Sequence, residues 1–178
     1  MRKRNSSVGA CIRSGFDGSL LVQMPNPDQL QIIESISLAW PEDFRAPSKR
    51  FRLFVAADAA LLKIEEISDF AHDALKSGMV YFCAWGADCE RFHDIVDETP
   101  AEDSLREGRF VGIQPNDIVM TTWHADEALE DALDFFIDLA HPTEGFAGGS
   151  ESWVALVINN PEWADLIRRK FASRAKSL

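Results

Sequence analysis

The chain has 178 residues, of which 46% are hydrophobic and 26% charged, and its formal net charge at pH 7 is -11. This length and composition are typical of one globular domain and exclude a disordered or collagen-like chain. The negative charge opposes binding to nucleic-acid phosphates and to anionic membrane surfaces, and the apolar runs are far shorter than the ~20 residues that span a bilayer. We therefore expect neither a nucleic-acid partner nor a membrane partner.

Three cysteines, Cys11, Cys83 and Cys89, follow no spacing typical of a disulfide framework. An odd number of unpatterned cysteines indicates reduced thiols, which are usual in a reducing compartment. We therefore expect a cytoplasmic protein.

The first fifty residues show no sustained hydrophobic period. Residues 1–19 are rich in Ser, Gly and Arg, so we expect a flexible basic arm. Residues 20–50 contain four prolines between short apolar pieces. This pattern predicts an extension that packs on the main domain and contains one short element near residues 31–36.

From residue 51 onward, short apolar runs alternate with segments of helical period. The runs at 53–57, 79–85, 118–123 and 153–158 are typical of strands that are buried on both faces. The stretch 99–116 is polar and long for a connection, so we interpret it as a candidate lid or binding loop.

Each apolar run is followed by a predicted helix, and several helix ends carry capping residues. Gly78 follows the first helix, where it favours a left-handed C-terminal cap, and Asp88 is the N-cap candidate of a short helix that we expect to end before Pro100. The third helix covers about residues 126–139. The fourth begins after Asn160, a capping residue that is followed by proline.

Four strand–helix repeats predict the α/β class, with a three-layer flavodoxin-like or Rossmann-like domain over residues 51–171 and a basic tail at 172–178. Its central sheet should contain about four mainly parallel strands with helices on both faces. Ligands of such sheets bind in a crevice outside the carboxyl ends of the strands. We expect the crevice to be lined by residues that follow the four runs: Asp58, Trp85, Asp88, Thr122, Trp123 and Asn159.

The turns at this edge lack the glycines that a nucleotide cofactor requires. Residues 56–60, after the first strand, read Ala-Ala-Asp-Ala-Ala, so backbone amides cannot approach a pyrophosphate as they do in a dinucleotide fingerprint. The glycine-rich segment 145–150 precedes a strand and should lie at the opposite edge. We therefore expect no cofactor.

Cys89 is the candidate nucleophile, because it follows Asp88 at a helix start, where unpaired amides and the helix dipole favour a thiolate. His124 could act as its base, with Asp126 to orient the imidazole. Against this, Cys89 lies on the stripe that faces the sheet, where a cysteine is usually buried and inert. A zinc site of Cys89, His93 and His124 lacks the paired spacing of zinc motifs, so we expect no metal.

The region between Arg109 and Arg168 contains no lysine or arginine but many acidic residues. Such runs usually form a solvated face. On the third predicted helix, however, like charges recur at i,i+4 spacing, which opposes helix formation by about 0.2–0.5 kcal/mol per pair. We expect this face to meet a basic protein partner or the chain's own C-terminal tail, Arg168 to Lys176. Its residues are Asp126, Glu127, Glu130, Asp131, Asp134 and Asp138.

No motif in the sequence is diagnostic of a reaction. The pattern favours a non-catalytic cytoplasmic module for protein interaction or ligand sensing, of the accessory or immunity type, with an acidic face for a basic partner. The alternative is a small cysteine-dependent hydrolase or transferase that uses Cys89 and His124. Exposure of the Cys89 thiol separates the two hypotheses.

Overall fold

The computed structural model describes residues 29–106, 118–146 and 152–175. In these residues the strands are β1 (Leu30–Ser35), β2 (Phe51–Ala56), β3 (Met79–Trp85), β4 (Met120–His124) and β5 (Ser152–Ile158). The helices are α1 (Ile64–Lys76), α2 (Cys89–Arg106), α3 (Leu129–Asp138) and α4 (Pro161–Ala175). None of the helices in this part of the chain is long and apolar enough to cross a membrane.

The strands form one sheet in the order β1-β5-β2-β3-β4, and every neighbouring pair is parallel. The predicted α/β class with a mainly parallel central sheet and helices on both faces is therefore confirmed. The described residues contain five strands where about four were predicted.

The sheet is covered by two helices on each face. Phe70 of α1 and Phe92 of α2 pack in one hydrophobic cluster with Leu53 of β2. Phe136 of α3 packs in the other cluster with Phe54 of β2, with ring centroids 5.3 Å apart. Successive residues of a strand point to opposite faces, so a strand between two helical layers must be apolar along its whole length. β2 is buried throughout, and β3 and β5 are buried up to their last residue.

The chain reverses direction across the sheet at β2 and β5, which are neighbours. After β2 the chain continues to α1 on one face, whereas after β5 it continues to α4 on the other face. The two connections diverge and leave an opening outside the carboxyl ends of these strands, as in other open parallel sheets. This topology determines where the candidate site lies.

Two predicted helix ends are confirmed in detail. Gly78, after α1, has a φ of +103°, and its amide donates to the Leu75 carbonyl. A Cβ atom there would lie 2.5 Å from the Lys49 carbonyl oxygen, so this position requires glycine. At the start of α4, the Asn160 Oδ1 atom accepts a hydrogen bond of 3.2 Å from the Trp163 amide.

β1 arises from the proline-containing segment that we predicted as an extension. It pairs with β5 at the edge of the sheet, and its side chains are mostly half-buried. Beyond it, Trp40 and Phe44 pack on each other with ring centroids 4.6 Å apart, and Trp40 contacts Phe70 of α1. Trp40 and Phe44 of this segment therefore pack against α1, while residues 20–28 lie outside the described residues. The predicted arm, 1–19, lies outside the described residues.

The second predicted helix does not end before proline. α2 continues through Pro100 to Arg106. A proline removes only one backbone donor, and in the same turn the Thr99 hydroxyl donates to the Ile95 carbonyl over 2.8 Å. Part of the predicted lid or binding loop is thus helical, and its remainder, 107–116, lies outside the described residues.

The last two helices also differ from the prediction at one end. α3 begins at Leu129, because Asp126 has a φ of +58° and Ala128 is still extended. Asp126 and Glu127 therefore belong to the turn that precedes the helix. α4 extends to Ala175, so it includes the first residues of the segment predicted as a basic tail.

Arg52 is a buried cation near the amino end of β2. Its guanidinium lies over the Trp153 ring, 4.6 Å from the centroid, and its Nε and Nη1 atoms have no hydrogen-bond partner. Burial lowers the pKa of Arg52 to about 10, against a smaller raising effect from Tyr81. Because Arg52 lies at the amino edge of the sheet, its charge is far from the carboxyl ends of the strands.

Replacement of Asn160 by alanine removes the side-chain acceptor at the start of α4. We expect the free energy of unfolding to fall by about 1 kcal/mol, because a helix amide loses its partner. Urea unfolding followed by circular dichroism measures the change. The control Asn160→Ser retains a capping oxygen and should keep most of the stability, so equal losses in the two variants would contradict the role of the cap.

Candidate functional site

Two adjoining cavities open at the carboxyl edge of the sheet. The first, of about 340 Å³, lies beyond β3 and β4, and the second, of about 420 Å³, lies beyond β1, β2 and β5. Both are lined by Asp58 and Trp163. Because they share these two residues, we treat them together as the carboxyl-edge crevice. The first cavity is also lined by Trp85, Gly86, Ala87, His124, Asp126 and Glu127.

Two tryptophans form the aromatic wall of the crevice. The rings of Trp85 and Trp163 meet edge to face, with centroids 5.0 Å apart and planes at 86°. The Trp85 Nε1 atom donates a hydrogen bond of 2.9 Å to the Glu127 carbonyl oxygen. An edge-to-face pair contributes about 0.5–1.5 kcal/mol beyond its buried area, so both indoles are held in place.

Gly86 allows the turns after β2 and β3 to approach each other. It has a φ of +119°, and a Cβ atom there would lie 2.1 Å from the Ala57 carbonyl oxygen. On either side of it, the Ala57 amide donates to the Trp85 carbonyl and the Ala59 amide donates to the Ala87 carbonyl. The two turns are therefore bonded together, which brings Asp58 to the same cavity as Trp85.

Three turns at this edge contain a residue in the left-handed region. Asp88 follows β3 with a φ of +55°, Asp126 follows β4 with +58°, and Asn159 follows β5 with +52°. Asp and Asn tolerate this conformation best, but it still costs on the order of 1 kcal/mol or more per residue. In the described ranges all non-glycine residues with positive φ lie at the carboxyl edge. Such clustering is typical of functional sites.

His124 lies in the wall of the first cavity and is only 7% exposed. Its Nδ1 atom is 2.9 Å from the Glu127 carboxylate, and its ring packs on Phe135 of α3. A carboxylate only accepts hydrogen bonds, so the Nδ1 atom of His124 carries a proton and donates to Glu127. The Nε2 atom has no partner among the described residues, and a buried polar atom that is left unpaired costs about 1–3 kcal/mol.

The ionisable side chains that line the crevice carry negative charge. They include the carboxylates of Asp58, Glu66, Asp126 and Glu127, and neither cavity is lined by a lysine or an arginine. Asp58 accepts a hydrogen bond from the Ala60 amide, and Glu66 accepts one from the Lys63 amide. These bonds orient the carboxylates without neutralising them.

Arg91, at the start of α2, binds neighbouring groups of the chain. Its guanidinium donates to the Asp88 carboxylate over 2.6 Å and to the carbonyl oxygens of Ala59 and Leu62. It therefore fixes the turns after β2 and β3 and does not line the crevice. The side chain of Asp88, which we expected in the crevice and at a helix cap, is used in this ion pair.

Cys89 is buried on the face that α1 and α2 cover and is 1% exposed. Burial raises the pKa of its thiol and outweighs the hydrogen bonds from backbone amides, including that of His124, which lower it. The His124 ring packs on the opposite face against Phe135. The structure therefore does not bring the Cys89 thiol and the His124 ring together as a catalytic pair, and the carboxylate beside the ring belongs to Glu127 and not to Asp126.

The other predicted ligand residues are divided between two faces. Asp58, Trp85 and Asn159 line the crevice. Trp123 is 44% exposed and lies on the α2 side of the sheet, where its ring is 4.5 Å from that of His93. Adjacent strand residues point to opposite faces, so Trp123 and His124 cannot share a cavity. Thr122 is half-buried, and its hydroxyl lies against the Cys83 thiol.

A polar cluster ties α2 to β4. The Thr121 hydroxyl donates to Asp97 over 2.7 Å and lies 3.0 Å from the His93 Nε2 atom, while His93 Nδ1 lies 3.0 Å from Asp94. A zinc site at Cys89 and His124 would also need His93. The three side chains lie apart, because Cys89 is in the core under α1 and α2, His93 packs on Trp123, and the His124 ring packs on Phe135 of α3. Within residues 29–106, 118–146 and 152–175, no group of three or more His, Cys, Asp or Glu residues is placed to hold a metal ion.

The acidic face of α3 receives counter-charge from α4. Asp134 accepts hydrogen bonds of 2.7 Å from both Lys170 and Arg174, and Arg174 also donates to Asp138 over 2.6 Å. Partial burial raises the pKa of Asp134, but the bonds from Lys170 and Arg174 outweigh it and lower that pKa. Arg168, the first residue of the segment Arg168 to Lys176 that we expected to meet this face, pairs instead with Glu34 of β1 and with Asp165.

The sequence places Gly86 and Trp163 at this edge of the sheet, whereas it gives no indication that Ile36 belongs to the crevice. Trp163 lies inside the first turn of α4, and Gly86 contributes through its lack of a Cβ atom. Ile36 follows β1, which was not predicted as a sheet strand. The sequence signal for Trp163 is its distance of only five residues from the end of β5.

The chain belongs to the family DUF7684, a domain of unknown function, whose family model matches residues 33–174. This match extends from β1 into α4 and includes the residues of the carboxyl-edge crevice. Comparison with curated proteins finds no match, and comparison with solved structures finds none either.

Replacement of Asp134 by asparagine removes the carboxylate that Lys170 and Arg174 share. Because the group is partly exposed, we expect the free energy of unfolding at neutral pH to fall by only about 0.5–1 kcal/mol, and by less in high salt. The folded-state pKa of Asp134 lies below its unfolded value of about 3.9. The stabilisation is therefore present above that value and lost as the pH falls through the folded-state pKa.

Urea unfolding of the wild type and the Asp134→Asn variant at several pH values measures this effect. Asp131→Asn is the matched control on the same helix, since the described residues show no ion pair for Asp131. It should leave the stability unchanged or raise it slightly. An equal loss of stability in both variants at neutral pH would contradict the assigned ion pairs.

Proposed function

We propose that the protein is a non-catalytic ligand-sensing module and that the carboxyl-edge crevice is its binding site. The observation that carries this proposal is the aromatic wall of Trp85 and Trp163 beside a cavity of about 340 Å³. Small-molecule sites are concave, measure roughly 300–1,000 Å³ and combine aromatic walls with a few polar groups. The crevice has these properties.

The position of the crevice in the sheet supports the same proposal. It lies where the strand order reverses, which is the usual ligand site of open parallel sheets. The left-handed conformations of Asp126 and Asn159 concentrate backbone strain there. Strain of this kind persists where a site requires a particular backbone geometry.

The alternative, a cysteine-dependent hydrolase or transferase, is less well supported. A nucleophilic cysteine needs access to its substrate and a lowered pKa. Cys89 is buried, and its pKa is raised by that burial. We therefore favour the non-catalytic hypothesis.

The proposed interaction of the acidic face on α3 with a basic partner has to take account of α4. Lys170 and Arg174 supply the counter-charge for Asp134 and Asp138. This agrees with the interpretation that the chain's own C-terminal segment meets the acidic face. A basic protein partner on α3 would therefore have to compete with these ion pairs. The buried free thiols of Cys83 and Cys89 fit the proposed cytoplasmic location, because neither is used in a disulfide.

A crevice-filling variant tests the proposed site. Ala87 is exposed and lines the first cavity, so Ala87→Trp should occupy it. Differential scanning fluorimetry with a library of amino acids, amines, nucleosides and organic acids should find a compound that stabilises the wild type. A ligand at about 100 times its Kd raises the Tm of a domain this size by roughly 5–10 °C.

The expected result is that Ala87→Trp abolishes this shift. The control Ala39→Trp, which places the same side chain at an exposed position outside the crevice, should retain it. A library in which every stabilising compound acts equally on Ala87→Trp would overturn the assignment of the site.

Alkylation separates the two hypotheses about Cys89. We expect iodoacetamide to modify Cys89 at neutral pH at least about 100-fold more slowly in the native protein than in urea, because the thiol is buried and protonated. Peptide mass mapping measures each cysteine separately, and the fully buried Cys83 is the internal reference for an inert thiol. Rapid native modification of Cys89 alone would instead support the enzyme.

A further inference from the structure

We propose that the ligand of the carboxyl-edge crevice is an organic cation, an ammonium or guanidinium group attached to an apolar body. This inference rests on the proposed function of the crevice and specifies the chemical class of its ligand. Charge, hydrogen bonding and aromatic contact each contribute to it.

The charge of the lining is the first reason. Four carboxylates line the two cavities, at Asp58, Glu66, Asp126 and Glu127, and neither cavity has a lysine or arginine in its wall. Three cations of the surrounding structure are used in ion pairs elsewhere: Arg91 pairs with Asp88, and Lys170 and Arg174 pair with α3. An anionic ligand would therefore be repelled, whereas a cation would supply the missing counter-charge.

The hydrogen-bonding capacity of the first cavity is the second reason. The His124 Nε2 atom, in a side chain that is more than nine-tenths buried, has no hydrogen-bond partner among the described residues, and the carboxylates of Asp58 and Asp126 in the same cavity can only accept hydrogen bonds. The Trp85 N–H is already donated to the Glu127 carbonyl. A ligand that brings N–H donors matches the carboxylates of Asp58 and Asp126, whereas a ligand that brings only acceptors does not.

The aromatic wall is the third reason. An indole is the side chain that attracts cations most strongly through its ring face, and Trp85 and Trp163 both line the cavity that contains the carboxylates. Aromatic rings combined with carboxylates are a recurrent arrangement for ammonium recognition. The two indoles and the carboxylates of Asp58 and Asp126 would thus act on the same charged group.

The second cavity indicates the apolar body of the ligand. Ile36 is 88% exposed and Leu61 is 81% exposed, and both line this cavity beside Trp163. Large apolar side chains that are so exposed beside a polar crevice mark an interaction site more often than isolated surface positions do. A ligand whose charge lies near Asp126 could extend its apolar part over Asp58 to these residues.

Three probes of similar shape test the charge preference: phenethylammonium, 2-phenylethanol and 3-phenylpropionate. Isothermal titration and tryptophan fluorescence on the full chain should give a Kd for the cation at least about tenfold below that of the alcohol, with no binding of the carboxylate. The affinity for the cation should fall when NaCl rises from about 50 to about 500 mM, because the carboxylates are partly exposed.

The double variant Asp58→Asn/Asp126→Asn removes two charges and keeps the local structure. Asparagine can still accept the bond from the Ala60 amide, and it tolerates the left-handed conformation of Asp126. We expect its Kd for phenethylammonium to rise about tenfold. The control Glu42→Gln/Asp43→Asn makes the same charge change beside the C-terminal end of α1, and it should alter the Kd by less than about twofold.

Equal affinity for the three probes, or an unchanged Kd in Asp58→Asn/Asp126→Asn, would overturn the cation preference. If the alcohol or the carboxylate binds the wild type but not Ala87→Trp, while the cation does not bind, the proposed site stands and its ligand class is wrong. If no probe binds at up to about 10 mM in a manner that Ala87→Trp abolishes, the cation preference fails and the crevice loses its support as a site.

Discussion

The pairing of β2 with β5 is the constraint on which the rest of the structure depends. Both strands lie between the two helical layers and run parallel, but the chain leaves β2 toward α1 and leaves β5 toward α4 on the other face. Their carboxyl ends therefore diverge and leave an opening. Asp58 and Asn159 reach the same crevice although a hundred residues separate them, because the parallel register aligns the strand ends. The site follows from the topology and not from a local motif.

Much of this fold could be predicted because burial on both faces leaves a simple signal. β2, β3 and β5 are continuous apolar runs, and Gly78 and Asn160 mark helix ends through conformational requirements that few residues satisfy. β1 gives no such signal. An edge strand that is half-buried needs only partial hydrophobicity, and Gln31 and Glu34 interrupt the pattern. The passage of α2 through Pro100 also differs from the prediction, because a proline ends a helix in most sequences but removes only one backbone donor.

The candidate site was predictable where a residue directly follows a strand, as Asp58 and Asn159 do. The prediction failed where the direction of a side chain matters. Trp123 and His124 are adjacent in β4, so one faces α2 and the other faces α3. The case of Cys89 shows two opposing effects. Its place at a helix start favours a thiolate, but burial beneath α1 and α2 favours the neutral thiol more strongly. The apolar stripe that faces the sheet carried this information in the sequence.

Charge compensation distinguishes the two acidic regions of the molecule. On α3, Asp134 and Asp138 meet Lys170 and Arg174, so their charge stabilises the packing of two helices. At the crevice, backbone amides orient the carboxylates of Asp58 and Glu66, and His124 orients that of Glu127. Neither cavity is lined by a lysine or an arginine. The left-handed backbone at Asp88, Asp126 and Asn159 destabilises this edge, and a fold retains such costs where function depends on them. The net charge alone does not make this distinction, because it counts matched and unmatched carboxylates equally. The counter-charge at α3 is therefore found within the chain, whereas at the crevice we propose that a ligand supplies it.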